Sequence, residues 1–432
     1  MSAFFANTVR SSYKPIMTRR SISTRCAPKT SRIAKPPRAL VPCQSRRPYS
    51  QSIQAQEEAI AKLPGLDPSA LTISHSITPQ VLTPPEELVF GRAFTDHMLS
   101  IEWTASSGWL APRITPYQNL SLDPATCVFH YAFECFEGMK AYKNNEGAVR
   151  LFRPDKNAAR LNNSASRIAL PSVDAQAFIE LIAKFAEMEQ RFIPAQRGFS
   201  LYLRPTLIGT QRTLGVGPPG SALLYVIASP VGPYYPTGFK AVSLEATSYA
   251  VRAWPGGVGD KKLGANYAPC IVPQLQAAKN GFHQNLWLFG EEEYVTEVGT
   301  MNFFVAIKDK ETGKPELWTA PLDGTILDGV TRDSVLDLAR ERLVKEGWIV
   351  KEKQFTMSEL AEAADDGRLM EAFGTGTAAV VSPVRRIGWR GRMVECGLKE
   401  GVEAGDVAKR MKAWIEGIQY GDEEHEWSYK VR

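Results

Sequence analysis

A mixed α/β (α+β) chain arranged as two lobes is what this sequence predicts, and three observations carry the expectation. Strand-like alternation and helix-like periodicity interleave from about residue 88 to the C-terminus. The stretch SPVGPYYPTG at 229–238, with three prolines and two glycines, separates two such regions. At 432 residues the chain also exceeds what one ordinary core organises. Hydrophobic content of 44% with 22% charged residues excludes a disordered or fibrous chain. No run of eighteen apolar residues occurs, so no membrane-spanning helix is expected.

In chain order, residues 1–50 come first. They hold eleven Lys and Arg and no acidic residue, Glu57 being the first, and are rich in Ser and Thr. That composition predicts a mitochondrial transit segment over 1–49 rather than a basic arm for nucleic acid. In RRPYS an arginine stands two before Tyr49, which predicts processing there and a matrix protein beginning at Ser50. Losing 1–49 takes the formal charge from +5 to −6. Residues 50–87 read as a polar N-terminal extension, with order beginning near Leu88.

A smaller α/β domain is expected over 88–228. AVRLFR (148–153) alternates as a strand, and Pro154 and Asp155 open a helix in which Leu161, Ala165 and Ile168 share one stripe beside Arg160. FSLYLRPTLIGT (199–210) and ALLYVIAS (222–229) are further strands. After the linker at 229–238, a larger α/β domain is expected over 239–432. Residues 240–254 alternate as a strand, and NLWLFGEEEYVTEV and NFFVAIKDKETGKPELWTA read as hairpins. TRDSVLDLARERLV reads as a helix with Thr331 as N-cap. Val407, Met411, Trp414, Ile415 and Ile418 form the apolar face of a last helix.

The six cysteines, at 26, 43, 127, 135, 270 and 396, lack paired metal-ligand spacing, and the five histidines form no helical pair. Reduced thiols and no metal are expected. Chemistry concentrates instead in GGVGDKKLGANY, a lysine in a glycine-rich stretch followed by a tyrosine. A desolvated amine is nucleophilic and suited to Schiff-base chemistry, whereas a solvated one is only a surface charge. Arg160 offers a planar double donor for phosphate. The turn LDGTILDGVTRDS brings small residues to a helix start, where free amides attract an anion. AFGTGTAAVV offers close backbone approach. Its GTGTAA matches a dinucleotide fingerprint only nominally, because Pro383 interrupts the helix such a fold needs.

With these residues in view the chain resembles the branched-chain amino acid aminotransferases of eukaryotic mitochondrial type, which are fold-type IV enzymes using pyridoxal 5′-phosphate. The likeness is carried by seven segments in family order: GWLAPRITPYQNLSLDPATCVFHYAFECFEGMKAY, LFRPDKNAARLNNSASRIALP, LYLRPTLIGT, GGVGDKKLGANYAPC, YVTEVGTMNFFVAI, LDGTILDGVTRDSV and FGTGTAAVVSPV. The resemblance implies a smaller N-terminal and a larger C-terminal domain with the cofactor between them, and a homodimer. It places the Schiff-base lysine two residues after Asp260, at Lys262, with Lys261 a bystander. It makes Glu297 the carboxylate at the pyridine nitrogen, Tyr267 the partner of the phenolic oxygen, and Arg160, Val330, Thr331 and Thr377 the phosphate site. Tyr131, Tyr202 and Arg204 correspond to residues handling substrate carboxylates, and Phe136, Thr300 and Ala378, with Tyr267, to the side-chain pocket.

The implied reaction is ping-pong transamination of L-leucine, L-isoleucine and L-valine with 2-oxoglutarate, serving synthesis or breakdown of these amino acids. The partners are small molecules, with no nucleic acid or membrane. A D-amino acid aminotransferase, aminodeoxychorismate lyase, a specialised secondary-metabolism transaminase and a non-catalytic scaffold are the alternatives. GWLAPRITPYQNL and LYLRP disfavour the first two, and an intact Lys262, Glu297 and Arg160 disfavours the scaffold. Some mammalian members carry a redox-sensitive CxxC where this chain has Ala379 and Ser382, so that switch is not expected.

Overall fold

Period-two alternation is resolved into two sheets in the computed structural model, which describes residues 63–233 and 238–431. The expected transit segment, with Cys26 and Cys43, and linker residues 234–237 lie outside the described residues. The described chain falls within the compact unit Ala55–Arg432.

The first half supplies β1 (Thr72–Ile73), β2 (His97–Thr104), β3 (Gly108–Trp109), β4 (Arg113–Pro116), β5 (Glu134–Phe136), β6 (Met139–Lys143), β7 (Val149–Phe152), β8 (Ser200–Gly209) and β9 (Ser221–Val231). Its helices are α1 (Cys127–Tyr131), α2 (Pro154–Arg167) and α3 (Ala175–Met188). The strands run β1-β4-β2-β9-β8-β6-β7, with β3 beside β2 and β5 beside β8. Proline at the first position of α2 loses no intrahelical bond, and Asp174 caps α3 by accepting from Ala177 N at 2.8 Å. Leu161 of α2 and Phe178, Ile182 and Phe185 of α3 bury their apolar stripes in one core with Leu99 and Leu224 of the sheet.

The second half supplies β10 (Val242–Thr247), β11 (Gln284–Phe289), β12 (Tyr294–Val298), β13 (Met301–Lys308), β14 (Pro315–Thr319), β15 (Ile349–Glu352), β16 (Leu369–Gly376), β17 (Val380–Trp389) and β18 (Arg392–Glu395). Its helices are α4 (Ile271–Lys279), α5 (Val330–Leu338), α6 (Met357–Asp365) and α7 (Asp406–Tyr420), followed by β19 (Ser428–Lys430). The path β12-β11-β10-β17-β16-β13 returns on itself, because β12 also pairs with β13. Six strands therefore close into a ring, which leaves those strands no open edge. Leu244, Leu286, Phe303, Val305 and Val384 belong to the core cluster that also takes in Phe355 and Leu360. A third core binds α5 and α7 to the ring and includes Tyr142 and Phe152 of the first sheet. Buried Glu371 accepts from Val407 N (2.8 Å) and Ala408 N (3.0 Å), satisfying two first-turn amides of α7.

The structure corrects several expectations. Order begins before Leu88: β1 pairs with β4, and Leu66 is buried in the first core. The segment between them and β2 is clasped by Ser76 N donating to His97 Nε2 (2.8 Å) and Gln80 N to Asp96 Oδ1 (2.7 Å). With Nε2 accepting, His97 Nδ1 carries the proton and donates to Glu189 Oε1 at 2.5 Å. The strand expected over 240–254 stops at Thr247. Beyond it Tyr249, Val251 and Trp254 are exposed and belong to no strand. Thr331 is the second residue of α5, whose N-cap is Gly329 with no side-chain bond. Lastly, β19 pairs with β7, so the chain's end belongs to the first sheet.

Candidate active site

Lys262 comes from the second half of the sequence, yet the first half fixes its backbone. Its amide donates to Ser164 Oγ of α2 (2.9 Å), and its carbonyl accepts from Phe136 N of β5 (3.1 Å). The next residue, Leu263, bridges Cys135. Gly264 leaves room for the Glu134 carboxylate, whose Oε2 would stand 1.7 Å from a Cβ there and would have to move. With both main-chain groups anchored, the side chain enters a cleft of ≈440 Å³, a size that suits a cofactor with a small substrate. Its Nζ donates to Tyr267 Oη at 3.0 Å and lies 4.7 Å from the Phe136 ring centroid. Neighbouring Lys261 is paired with Asp260 at 2.7 Å and does not line the cleft.

At one end of the cleft, α5 presents its first turn. The amides there have no intrahelical acceptor and carry the positive end of the helix dipole. Gly329 permits the approach, because a Cβ would meet Asn302 Oδ1 at 2.0 Å. Val330, Thr331, Thr377 and Arg160 all line this region. Arg160 is held by Glu137 through Nε (2.8 Å) and Nη2 (2.9 Å), while its Nη1 donates to the Asp328 carbonyl at 2.9 Å. Burial opposes the charge on Glu137, but Arg160 outweighs it and holds the carboxyl below its ordinary range. Asn157 adds a 2.7 Å bond to Glu137 Oε2.

Glu297 also lines the cleft. It lies on β12 opposite Asn302 of β13, and its Oε1 accepts from Asn302 Nδ2 and Leu327 N, both at 3.1 Å. Its Oε2 lies 2.7 Å from Arg252 Nη1 as an ion pair, without hydrogen-bond geometry, and has no hydrogen-bonded partner in the protein. Burial pushes the Glu297 carboxyl up, and the Arg252 charge opposes it. Thr375 Oγ1, also on the cleft wall, is buried and unpartnered.

On the remaining wall, Arg204 Nη2 donates to Tyr202 Oη at 3.1 Å, and the Arg204 guanidinium lies 4.7 Å from the Phe136 ring. Phe136 packs on Tyr267 at 5.0 Å. Thr300 and Ala378 line the cleft beside them. The structure thus brings together Lys262, Arg160, Tyr267, Glu297, Val330, Thr331, Thr377, Phe136, Tyr202, Arg204, Thr300 and Ala378. Tyr131 is the exception. It is 38% exposed, its hydroxyl donates to the Leu214 carbonyl at 2.5 Å, and it does not line this cleft. The short α1 ends at Tyr131, and Ala132 beyond it turns left-handed at φ 51°, leading the chain onward to β5.

Sequence reasoning missed Phe90, Glu134, Glu137, Asn302 and Arg252. Only Glu134 and Glu137 carried a local signal, acids among the apolar residues of AFECFEGM. An amine, a buried acid oxygen, a guanidinium and the free amides of a helix start share one cleft, a donor set that suits a ring carrying an electrophilic carbon, a ring nitrogen and a phosphate. Glu297 Oε2 and Thr375 Oγ1, buried without hydrogen-bond partners, are polar atoms that a bound group of this kind would satisfy.

Comparison with known proteins is consistent across the chain. The family described as "Amino-transferase class IV" matches residues 134–387. The chain is 60% identical to the mitochondrial branched-chain-amino-acid aminotransferase of Saccharomyces cerevisiae, over 82% of this chain and 91% of the relative. It is 59% identical to the cytosolic enzyme of that yeast, over 83% and 95%. Among solved structures, the T.th. branched-chain amino acid aminotransferase with pyridoxamine 5′-phosphate aligns with TM-score 0.60 at 26% identity, covering 77% of this chain and 98% of that one. The Escherichia coli enzyme shares the fold, with TM-score 0.62 at 24% identity over 74% and 97%.

Proposed function

The chain belongs to the class IV aminotransferases and, among them, to the branched-chain-amino-acid aminotransferases, and from that premise we propose what each cleft residue does. The enzyme transfers the amino group of leucine, isoleucine or valine to 2-oxoglutarate, reversibly, using pyridoxal 5′-phosphate. When bound, the cofactor supplies an electron sink that weakens the bond from the substrate α-carbon to its hydrogen.

Lys262 Nζ is the attachment point for the cofactor's aldehyde carbon and, once released, the base that moves the α-proton. Tyr267 Oη, 3.0 Å from that amine, orients it. Glu297 Oε2 accepts from the ring nitrogen and keeps it protonated. Arg160, Thr331, Thr377 and the first amides of α5 hold the phosphate. Tyr202 and Arg204 bind carboxylates, and Phe136 excludes water beside the amine while giving the aliphatic side chain an apolar wall. One observation carries this reading: the Lys262 amine shares one cleft with an acid oxygen lacking a hydrogen bond and an open helix N-terminus.

Two further features belong to the proposal. A homodimer fits the exposed Phe129, Tyr131, Leu214 and Val216, apolar side chains on segments tied together by the Tyr131 hydroxyl. Mitochondrial import, with cleavage after Tyr49, fits the eleven basic and no acidic residues before position 51. The named relatives include both mitochondrial and cytosolic enzymes.

Borohydride reduction of the purified protein, digestion and peptide mapping test the central assignment. The adduct is expected on Lys262; an adduct elsewhere, or none, overturns it. Lys262→Ala should lose the visible absorption and nearly all turnover, and Lys261→Ala should keep both.

A further inference from the structure

We propose that Arg252 is a positioning residue that keeps Glu297 anionic and aims its second oxygen at the cofactor's ring nitrogen. The proposal rests on the reading of Glu297 given above. Arg252 lies in the irregular segment that follows β10, and its side chain is 6% exposed against 2% for Glu297. The two meet at 2.7 Å, while Glu297 Oε1 is already engaged by Asn302 and Leu327. That division leaves Oε2 as the accepting oxygen. Arg252 itself does not line the cleft, so any effect on the cofactor passes through Glu297.

A carboxylate taken out of water favours its neutral form, which donates instead of accepting. Three cations face Glu297: Arg252, Lys262 from its loop and Arg332 from α5, with the Cys270 thiol also near. Lys262 is engaged by Tyr267 at 3.0 Å, and Arg332 by Glu352 and the Ala320 carbonyl, both at 2.7 Å. Arg252 is the remaining charge, and its ion pair is with Glu297. It opposes the effect of burial more than either of the other cations. By attracting Oε2, the guanidinium also limits the rotation that would turn this oxygen away from the ring.

The test is a double-mutant cycle of Arg252→Met and Glu297→Gln on reconstituted holoenzyme, read by the pyridoxal phosphate dissociation constant, the pH titration of the visible band, and kcat and KM for leucine. In the wild-type background Arg252→Met should weaken cofactor binding and lower kcat by roughly ten- to a hundredfold, typical for removing a group that orients a ligand, with leucine KM little changed. Arg252→Lys should restore most of both. Once Glu297→Gln has removed the charge, Arg252→Met should have less than about a threefold effect. Equal losses in both backgrounds, or an unmoved cofactor constant and band, overturn the proposal. Should Arg252→Met fail to fold, Arg252→Gln keeps polarity without charge and carries the same expectation. Failure to label Lys262 with borohydride would remove the underlying cofactor reading. A labelled Lys262 with an additive cycle would remove only the role of Arg252.

Discussion

Lys140 donates to the Ala378 carbonyl at 2.8 Å from a position only 7% exposed, reaching from β6 of the first sheet to the turn that lines the cleft. Burial pushes its ammonium down to about 8, with the Glu416 charge opposing and Lys412 assisting. Because the folded value lies below the ordinary 10.5, the unfolded chain binds more protons between about pH 8 and 10.5. Stability should therefore rise with pH across that window, and below it the folded state carries the full cost of about 3 kcal/mol. Lys140→Met should remove this pH-dependent gain. Urea unfolding of both proteins at pH 7 and 9.5 checks it, and identical pH slopes would refute the assignment. The same side chain shows why single residues are hard to read in sequence. In EGMKAY, Lys140 looks like an ordinary strand lysine, and its acceptor is 238 positions away.

At the scale of elements, the β5–β6 connection and β8 act as one unit around the proposed carboxylate site at Tyr202 and Arg204. Gly138 separates the two short strands, and a Cβ there would lie 2.0 Å from Tyr202 Oη. The Tyr202 ring cannot easily yield, since Phe90 packs against it edge-on at 4.9 Å. Gly138→Ala should displace the hydroxyl from Arg204 and raise KM for leucine and 2-oxoglutarate by about tenfold, the size expected for one charge-assisted bond. Cofactor affinity should be little affected. Steady-state kinetics beside a cofactor titration separate the two, and an unchanged KM would show that Tyr202 is not needed in this pose. Helices and hairpins at this scale were largely legible. The hairpins at 285–298 and 302–320 and the apolar face of α7 appear where periodicity placed them. The overlong strand at 240–254 failed because alternation reports which side chains share a face, not whether another strand lies alongside.

For the whole molecule, the C-terminal segment fastens the two sheets together. β19 adds to β7, and the Arg153 amide donates to the Trp427 carbonyl at 2.8 Å. The Arg153 guanidinium lies 4.1 Å from the Trp427 ring and pairs with Asp333 of α5 at 2.8 Å. Ending the chain after Glu426 should lower stability by about 3–5 kcal/mol, the cost of losing a packed tryptophan, and weaken cofactor retention by loosening the start of α5. Denaturant midpoints and cofactor titration of the truncated protein test this; wild-type values in both would show that the segment is dispensable.

Motif order, the segment that carries the proposed reactive lysine, turns and most helix positions were determined by the sequence alone. Those features depend on residues close in the chain, where periodicity, proline and glycine act directly. Tertiary structure alone decided that six strands close into a ring, that Arg252 meets Glu297, that Lys140 reaches Ala378 and that Tyr131 stands away from its own chain's cleft. The contacts among these set side by side residues whose separation in the chain leaves no local trace. Their energies arise from burial and charge pairing, which exist only once the chain has folded.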